Sequence, residues 1–404
     1  MTALTAPAAI SPDLLADRLG RLRAWMSTSE VDAVIAYGAP AVLGSRTVTA
    51  GYVRWLAGWM TSSLPAIVLV PLSGRPTVVT MGPHDTRAFV LRAGSFGDVI
   101  AAGSVDNYPR EVAAAVATAS SSGRVASLGF GEMAAPFDAA LRDRLAAHQV
   151  IDAEPAVNEM RLHRHAEEVA MHRAGAAVSD AMIETAMRHA VQPGMTGPRL
   201  MADVEHAGRE LGAGTPTTWL AIGEKPVTTY MEQAELSGPI GAADRVQLGT
   251  SLTYNGYFAQ GLRIGVRGRP SARLREYAQI LLEIQDAALA AMVPGAKLHT
   301  VSDTIEDAID KYCPYEREAD PFRFQSCHGL GLNYVEPGMA RDLNARRDRT
   351  LDPAGVAIAE NMVIEVHPNF TVPGLGHVCA GDMAVVTAAG AEWITAFPRG
   401  LVEL

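Results

Sequence analysis

Apolar positions at Leu15, Leu19, Leu22 and Met26 recur with helical spacing behind Ser11-Pro12. There Ser reads as the N-cap, Pro sits in the first turn, and Asp13 lies near the positive end of the helix dipole. The pattern then shortens. Apolar, β-rich runs fall at 32–37, at 66–70 turning through Ser73-Gly74 into 77–80, at 99–100 and at 125–130. Helical spacing returns between them at 108–120 and 134–147. Strands alternating with helices predict an α/β layer domain, and residues 1–156 are assigned to it.

Beyond it the spacing predicts one long helix over 158–190, stopped by Pro193-Gly194. A pattern then recurs. Val191-Gln-Pro-Gly194 precedes a helix at 198–211, and Met292-Val-Pro-Gly295 precedes another at 301–312, each behind an Ala-rich helix. That echo predicts a pseudo-twofold domain over 157–404, built of two related halves. Its strand candidates are 245–254, 257–266, 362–367 and 382–387.

Composition narrows the class of function. With 48% hydrophobic and 19% charged residues over 404 positions, the chain can bury more than one core. A net charge of −10 without a basic stretch argues against nucleic acid as a partner. Cys313, Cys327 and Cys379 are too scattered for a disulfide framework or a thiolate zinc site, which points to a reducing compartment. The opening residues carry no base before Arg18 and read as no signal peptide. The aliphatic stretch 64–72 is broken by Pro65 and Pro71, far short of the ~20 residues a bilayer requires. The expectation is a cytoplasmic protein with a small-molecule substrate and no membrane partner.

Polar groups concentrate at 230–235, 256–263, 327–336 and 360–382. In Glu365-Val-His367 a period of two puts carboxylate and imidazole on one strand face, where each can move the other's pKa. His328 stands in Cys-His-Gly-Leu-Gly, a setting that bends the chain and presents the ring. The helical His163, His165, His172 and His189 read as a solvated face. The 341–348 charge run reads as a solvated loop. Cys327 and His328 are sequence neighbours, an arrangement that seldom makes a nucleophile–base pair.

Five segments in order resemble the pita-bread superfamily of methionine aminopeptidase, prolidase, Xaa-Pro aminopeptidase and creatinase. Residues 161–168 resemble its R-x-x-K-s-x-x-E helix. Residues 245–263 resemble v-x-i-D…G-Y-x-x-D-x-x-R, with Gly256, Tyr257 and Arg263 kept. Residues 327–336 resemble G-H-G-I-G-L-x-x-H-E, residues 361–368 resemble G-M-V-f-x-v-E-P, and Gly381-Asp382 with 385–387 resembles E-D-t-v-l-V-T. The resemblance implies a small mixed α/β amino-terminal domain, then a pita-bread domain with a curved antiparallel sheet, and a homodimer.

The departures shape the expected chemistry. Metal-dependent members of that superfamily bind two ions through Asp, Asp, His, Glu and Glu. Here those positions hold Gly249, Gln260, His328, His367 and Gly381. The expectation is therefore no metal ligand and no cofactor. It is a character closest to creatinase and ectoine hydrolase, and metal-independent hydrolysis of a C–N bond (amide, amidine or cyclic amidine) in a small polar nitrogen compound. Tyr230, or Glu224 in another alignment, stands where creatinase carries its His, and Leu64 falls where an Arg binds creatine, so creatine itself is not expected. The candidate catalytic residues are His328, His367, Glu365, Glu336 and Tyr230. Gln260, Arg263, Tyr257 and Trp219 are the candidate substrate-binding residues, with a structural role open for Arg263. A lyase using the same His/Glu set and a non-catalytic binding protein are the alternatives.

Overall fold

The structure, a computed structural model, describes residues 10–39, 50–59, 64–82, 97–228, 230–232, 234–315, 327–336, 339 and 355–404. The 341–348 charge run lies outside them. Two compact units emerge: Ala8–Arg161 with Leu332–Tyr334, and Leu162–Gly331 with Val335–Leu404.

In the first unit Ser11 caps the Pro12–Thr28 helix by accepting from Leu14 N, and Leu14, Leu15, Leu19, Leu22 and Met26 are buried on one side. The strands are β1 (Ala33–Gly38), β2 (Ala66–Pro71), β3 (Thr77–Thr80), β4 (Asp98–Ala101), β5 (Arg124–Leu128) and β6 (Gln149–Asp152). They order as β4-β3-β2-β1-β5-β6, with β1 antiparallel to β2 and parallel to β5. Every residue of β1 is buried, which is why that run lacks polar alternation. β6 escapes the sequence pattern because it is a half-exposed edge strand with polar ends.

The second unit shows the predicted internal echo. One half runs from the Ala166–His189 helix through Gly194 and the Gly197–Glu210 helix to β7 (Thr217–Gly223), β8 (Arg245–Tyr254) and β9 (Tyr257–Val266). The other runs from the Ala272–Ala291 helix through Gly295 and the His299–Tyr312 helix. It continues into β10 (Cys327–Gly329), β11 (Val363–Val366), the hairpin β12 (Asn369–Val372) with β13 (Gly376–Cys379), β14 (Asp382–Thr387) and β15 (Gly390–Trp393). Gly194 (φ +71°) and Gly295 (φ +87°) both take left-handed backbone at the helix-to-helix turn, which only glycine enters at no steric cost.

β7, β8 and β9 form one antiparallel sheet, joined at β9 by the parallel β16 (Leu401–Glu403). β10, β11, β14 and β15 form the other. The two sheets meet where Leu262 and Gly381 exchange backbone hydrogen bonds of 3.1 Å each way. Leu281, Ile284, Val301 and Ile305 of the two later helices pack with Ile364, Val366, Ala384 and Val386 in one core. The expected mixed α/β architecture, a small amino-terminal domain followed by a two-halved antiparallel one, is the architecture found.

Two readings need correction. The expected single helix over 158–190 is two, Glu154–Leu162 and Ala166–His189. The break is a capping box: the His165 ring caps the second helix, while Glu168 accepts from His165 N at 2.9 Å. The highly charged 161–168 segment is thus a junction. Nor do the four histidines share a solvated face. His163 and His165 are exposed and His189 pairs with Asp203, but His172 is fully buried with its Nδ1 3.1 Å from Phe258 O. No helix among the described residues is long and apolar enough to cross a membrane.

Candidate functional site

β10, β11 and β14 bring the central polar group together. His328 lies directly opposite Glu365 in the β10–β11 register, and Glu365 lies opposite Met383 of β14. Opposed residues share a face, so alternation sends Cys327, Ile364 and Val366 into the helix-covered core and turns His328 and Glu365 away from it. This separation removes Cys327 as a nucleophile for His328. Two residues after Glu365, His367 meets His328 with ring centroids 5.0 Å apart, edge to face. All three side chains are buried.

Burial sets their protonation. It lifts the Glu365 carboxyl well above the ordinary glutamate range; the nearby Asp382 carboxylate adds to the rise and Arg263 opposes it. Among the described residues neither Glu365 oxygen meets a hydrogen-bond donor, so the neutral acid is the favoured form. Burial, reinforced by His328, pushes His367 well below the ordinary histidine value. A neutral carboxylic acid beside the neutral His367 imidazole gives proton donors and acceptors without net charge.

Glu365 also fills a place that another residue leaves open. A methyl group built on Gly381 would come within 2.8 Å of Glu365 Oε1 and would collide with Leu262. The space beside Gly381 is thus taken by the Leu262 side chain and the Glu365 carboxyl. At Gly249 a methyl group would lie 2.7 Å from Trp219 Cε3, because the indole of the directly paired β7 residue lies across that glycine.

The remaining candidates take other positions. Arg263 is committed internally: Nη2 reaches Asp382 Oδ1 at 2.6 Å, Nη1 reaches Asp382 Oδ2 at 3.2 Å, and its other donors serve the carbonyls of Leu262, Gly381, Phe397 and Pro398. These bonds tie β9 to β14 and the carboxyl-terminal segment. Tyr257 is buried with its hydroxyl 3.2 Å from Glu168 Oε1. Glu336 is buried beside Arg164, at 3.4 Å, and packs onto Gly331. Gln260 is buried on β9, and its Oε1 meets no donor among the described residues. Tyr230, half exposed, lines a surface cleft of about 320 Å³ with Lys225, Val227 and Met231.

Two polar residues were missed in the sequence. Asn369 opens β12 and places its amide against His367, its Nδ2 lying 2.8 Å from His367 O and 3.4 Å from His367 Nδ1. Asp382 receives Arg263, Gln285 and Thr395. The Pro-Asn step after the strand and the Gly-Asp pair were the signals available.

Residues 169–388 match the profile of metallopeptidase family M24. The Xaa-Pro dipeptidase of Pyrococcus furiosus is 25% identical over 249 residues, 61% of this chain and 66% of that one. The Xaa-Pro aminopeptidase of Escherichia coli is 25% identical over 266 residues, 61% of this chain and 59% of that one. The chain therefore spans less than two thirds of the length of these two curated relatives. Among solved structures, the Xaa-Pro dipeptidase from Bacillus anthracis superposes with a TM-score of 0.75 at 21% identity, covering 96% of this chain and 100% of that one. At that identity the likeness is one of fold.

These findings correct the expected chemistry. These two relatives are Xaa-Pro peptidases by name, and the matching family is one of metallopeptidases, which overturns the reading of a metal-independent, creatinase-like hydrolase of small nitrogen compounds. Closeness to creatinase and ectoine hydrolase gains no support from them.

The family name implies a metal, and the residues present do not fit a carboxylate-bridged pair. Indole and leucine side chains fill the space that ligands at 249 and 381 would need. Among the described residues no three His, Cys, Asp or Glu side chains converge as a ligand set.

Proposed function

Since the chain belongs to metallopeptidase family M24, we propose that it is a hydrolase of the amide bond in short peptides, of the Xaa-Pro type that its relatives' names specify. The observation that carries this reading is the buried trio of Glu365, His328 and His367 on β10 and β11. Amide hydrolysis needs a base for water, a donor for the carbonyl oxygen as it gains charge, and a proton for the leaving nitrogen. The two imidazoles supply base and donor, and the protonated Glu365 carboxyl supplies a second donor beside them. Gln260 and Trp219 belong to the same proposal as substrate contacts, and the homodimer belongs to it as the assembly state.

The test is proline release from a panel of Xaa-Pro dipeptides by the purified full-length protein, with added divalent metal and with chelator. Loss of at least ~10²-fold in kcat on His328→Gln or His367→Gln, with folding retained, is expected. A panel in which no dipeptide is cleaved under either condition would sink the reading. Light scattering should give twice the 42.8 kDa chain mass.

A further inference from the structure

The hydrogen bonds around the two imidazoles assign their protons. His328 Nδ1 lies 3.0 Å from Gly329 O, and a carbonyl oxygen only accepts, so Nδ1 carries a hydrogen and the neutral ring keeps its lone pair on Nε2. At His367 the order is reversed. The Asn369 amide lies 2.8 Å from His367 O, and only its nitrogen can donate there, which settles the orientation of the amide. The same nitrogen, a donor only, faces His367 Nδ1 at 3.4 Å, which favours an accepting Nδ1 with the ring hydrogen on Nε2. Among the described residues His367 Nε2 meets no protein acceptor, leaving its hydrogen for a ligand. Two rings 5.0 Å apart thus carry opposite hydrogen-bond polarity at Nε2.

We propose that Asn369 is a positioning residue that divides the work of the two imidazoles, making His328 the base and His367 the hydrogen-bond donor. The inference rests on the peptidase reading above. His328 Nε2 takes a proton from water as the water oxygen bonds to the amide carbon. The His367 Nε2–H donates to the carbonyl oxygen as charge gathers there. When the C–N bond breaks, the leaving nitrogen takes the proton back from His328, so one water is consumed and both rings return to their starting forms. Burial favours the neutral ring at His367, which this division requires.

The experiment reads tautomers directly, in substrate-free full-length protein labelled with 15N in histidine, by long-range proton–nitrogen correlation. His328→Gln and His367→Gln spectra supply the assignments. A neutral Nδ1–H ring at His328 and a neutral Nε2–H ring at His367 are expected. Asn369→Asp, which offers only acceptors, should move the His367 proton onto Nδ1, while Asn369→Ser, which keeps a donor, should leave it on Nε2. The same tautomer at both rings, or an Asn369→Asp spectrum unchanged at His367, overturns the inference. On a cleaved dipeptide, Asn369→Leu should lower kcat by ~10²-fold with KM nearly unchanged, and Asn369→Ser should recover most of it. A KM effect alone would overturn the positioning role. If the tautomers are as expected and no peptide is cleaved, the peptidase reading fails while the assignment of polarity stands.

Discussion

Glu365 and His328 face each other across the β10–β11 ladder, both fully buried, and the carboxyl of Glu365 shares with Leu262 the space left by the missing side chain of Gly381. A carboxylic acid and an imidazole are therefore held on adjacent strands rather than on a loop, with positions set by backbone register. Their burial has consequences that stability measurements can read without any substrate.

The folded chain holds the Glu365 proton more tightly than the unfolded chain, whose glutamates titrate near ~4.3. The contribution to stability is therefore full below that value and is lost as pH rises through the raised folded pKa. Glu365→Gln keeps the shape of the neutral acid and removes the titration. The unfolding midpoint of the wild type relative to this variant should fall as pH rises from about 4. Difference curves flat across pH would mean that Glu365 is ionised in the folded chain.

His172 behaves oppositely. Burial, with Arg164 nearby, depresses its pKa despite the bond to Phe258 O. Its stabilising contribution is present above ~6.5 and is lost as pH falls toward the depressed folded value. His172→Phe should cost about 1 kcal/mol at neutral pH for the lost hydrogen bond. It should also flatten the acid limb of the stability profile below ~6.5. Urea titrations at a series of pH values decide it, and an acid limb as steep as the wild type's contradicts the assignment.

Gly249 admits no side chain because the indole of Trp219 lies over it. Gly249→Ala should destabilise the protein by ~1–3 kcal/mol through overpacking, and Trp219→Leu in the same chain should recover part of that loss. Chemical denaturation of the two single variants and the double variant measures the coupling. Additive effects would show that the two positions do not compete for space.

Asp382 and Arg263 form a buried, two-point ion pair, with Gln285 and Thr395 completing the carboxylate's bonds. Asp382→Asn leaves the guanidinium without its counter-charge and should cost ~3–5 kcal/mol. Equilibrium unfolding reads the loss. A change below ~1 kcal/mol would place this pair with exposed ones.

Much of the fold was legible because periodicity reports burial. β8, β9 and β14 fall at the predicted residues, and the Gly194 and Gly295 turns carry the two-halved plan in the chain itself. The helix break at 163–165 was hidden because its cap is a histidine, a residue that spacing rules do not read as a stop. His172 looked solvated because charged residues surround it in the sequence, and nothing local announces that Tyr257 and Phe258 cover it.

The site divides the same way. The sequence by itself determined that Glu365 and His367 share a strand face, that His328 lies near a bend, and that carboxylates are absent at 249 and 381. Only the tertiary structure decided that Glu365 and Leu262 fill the space beside Gly381, that Arg263 is tied to Asp382, and that Asn369 sets its amide against His367 Nδ1. Periodicity is a local property of successive residues. Which buried group meets which donor depends on strands from distant parts of the chain settling into register, and that register selects the partners that fix each proton.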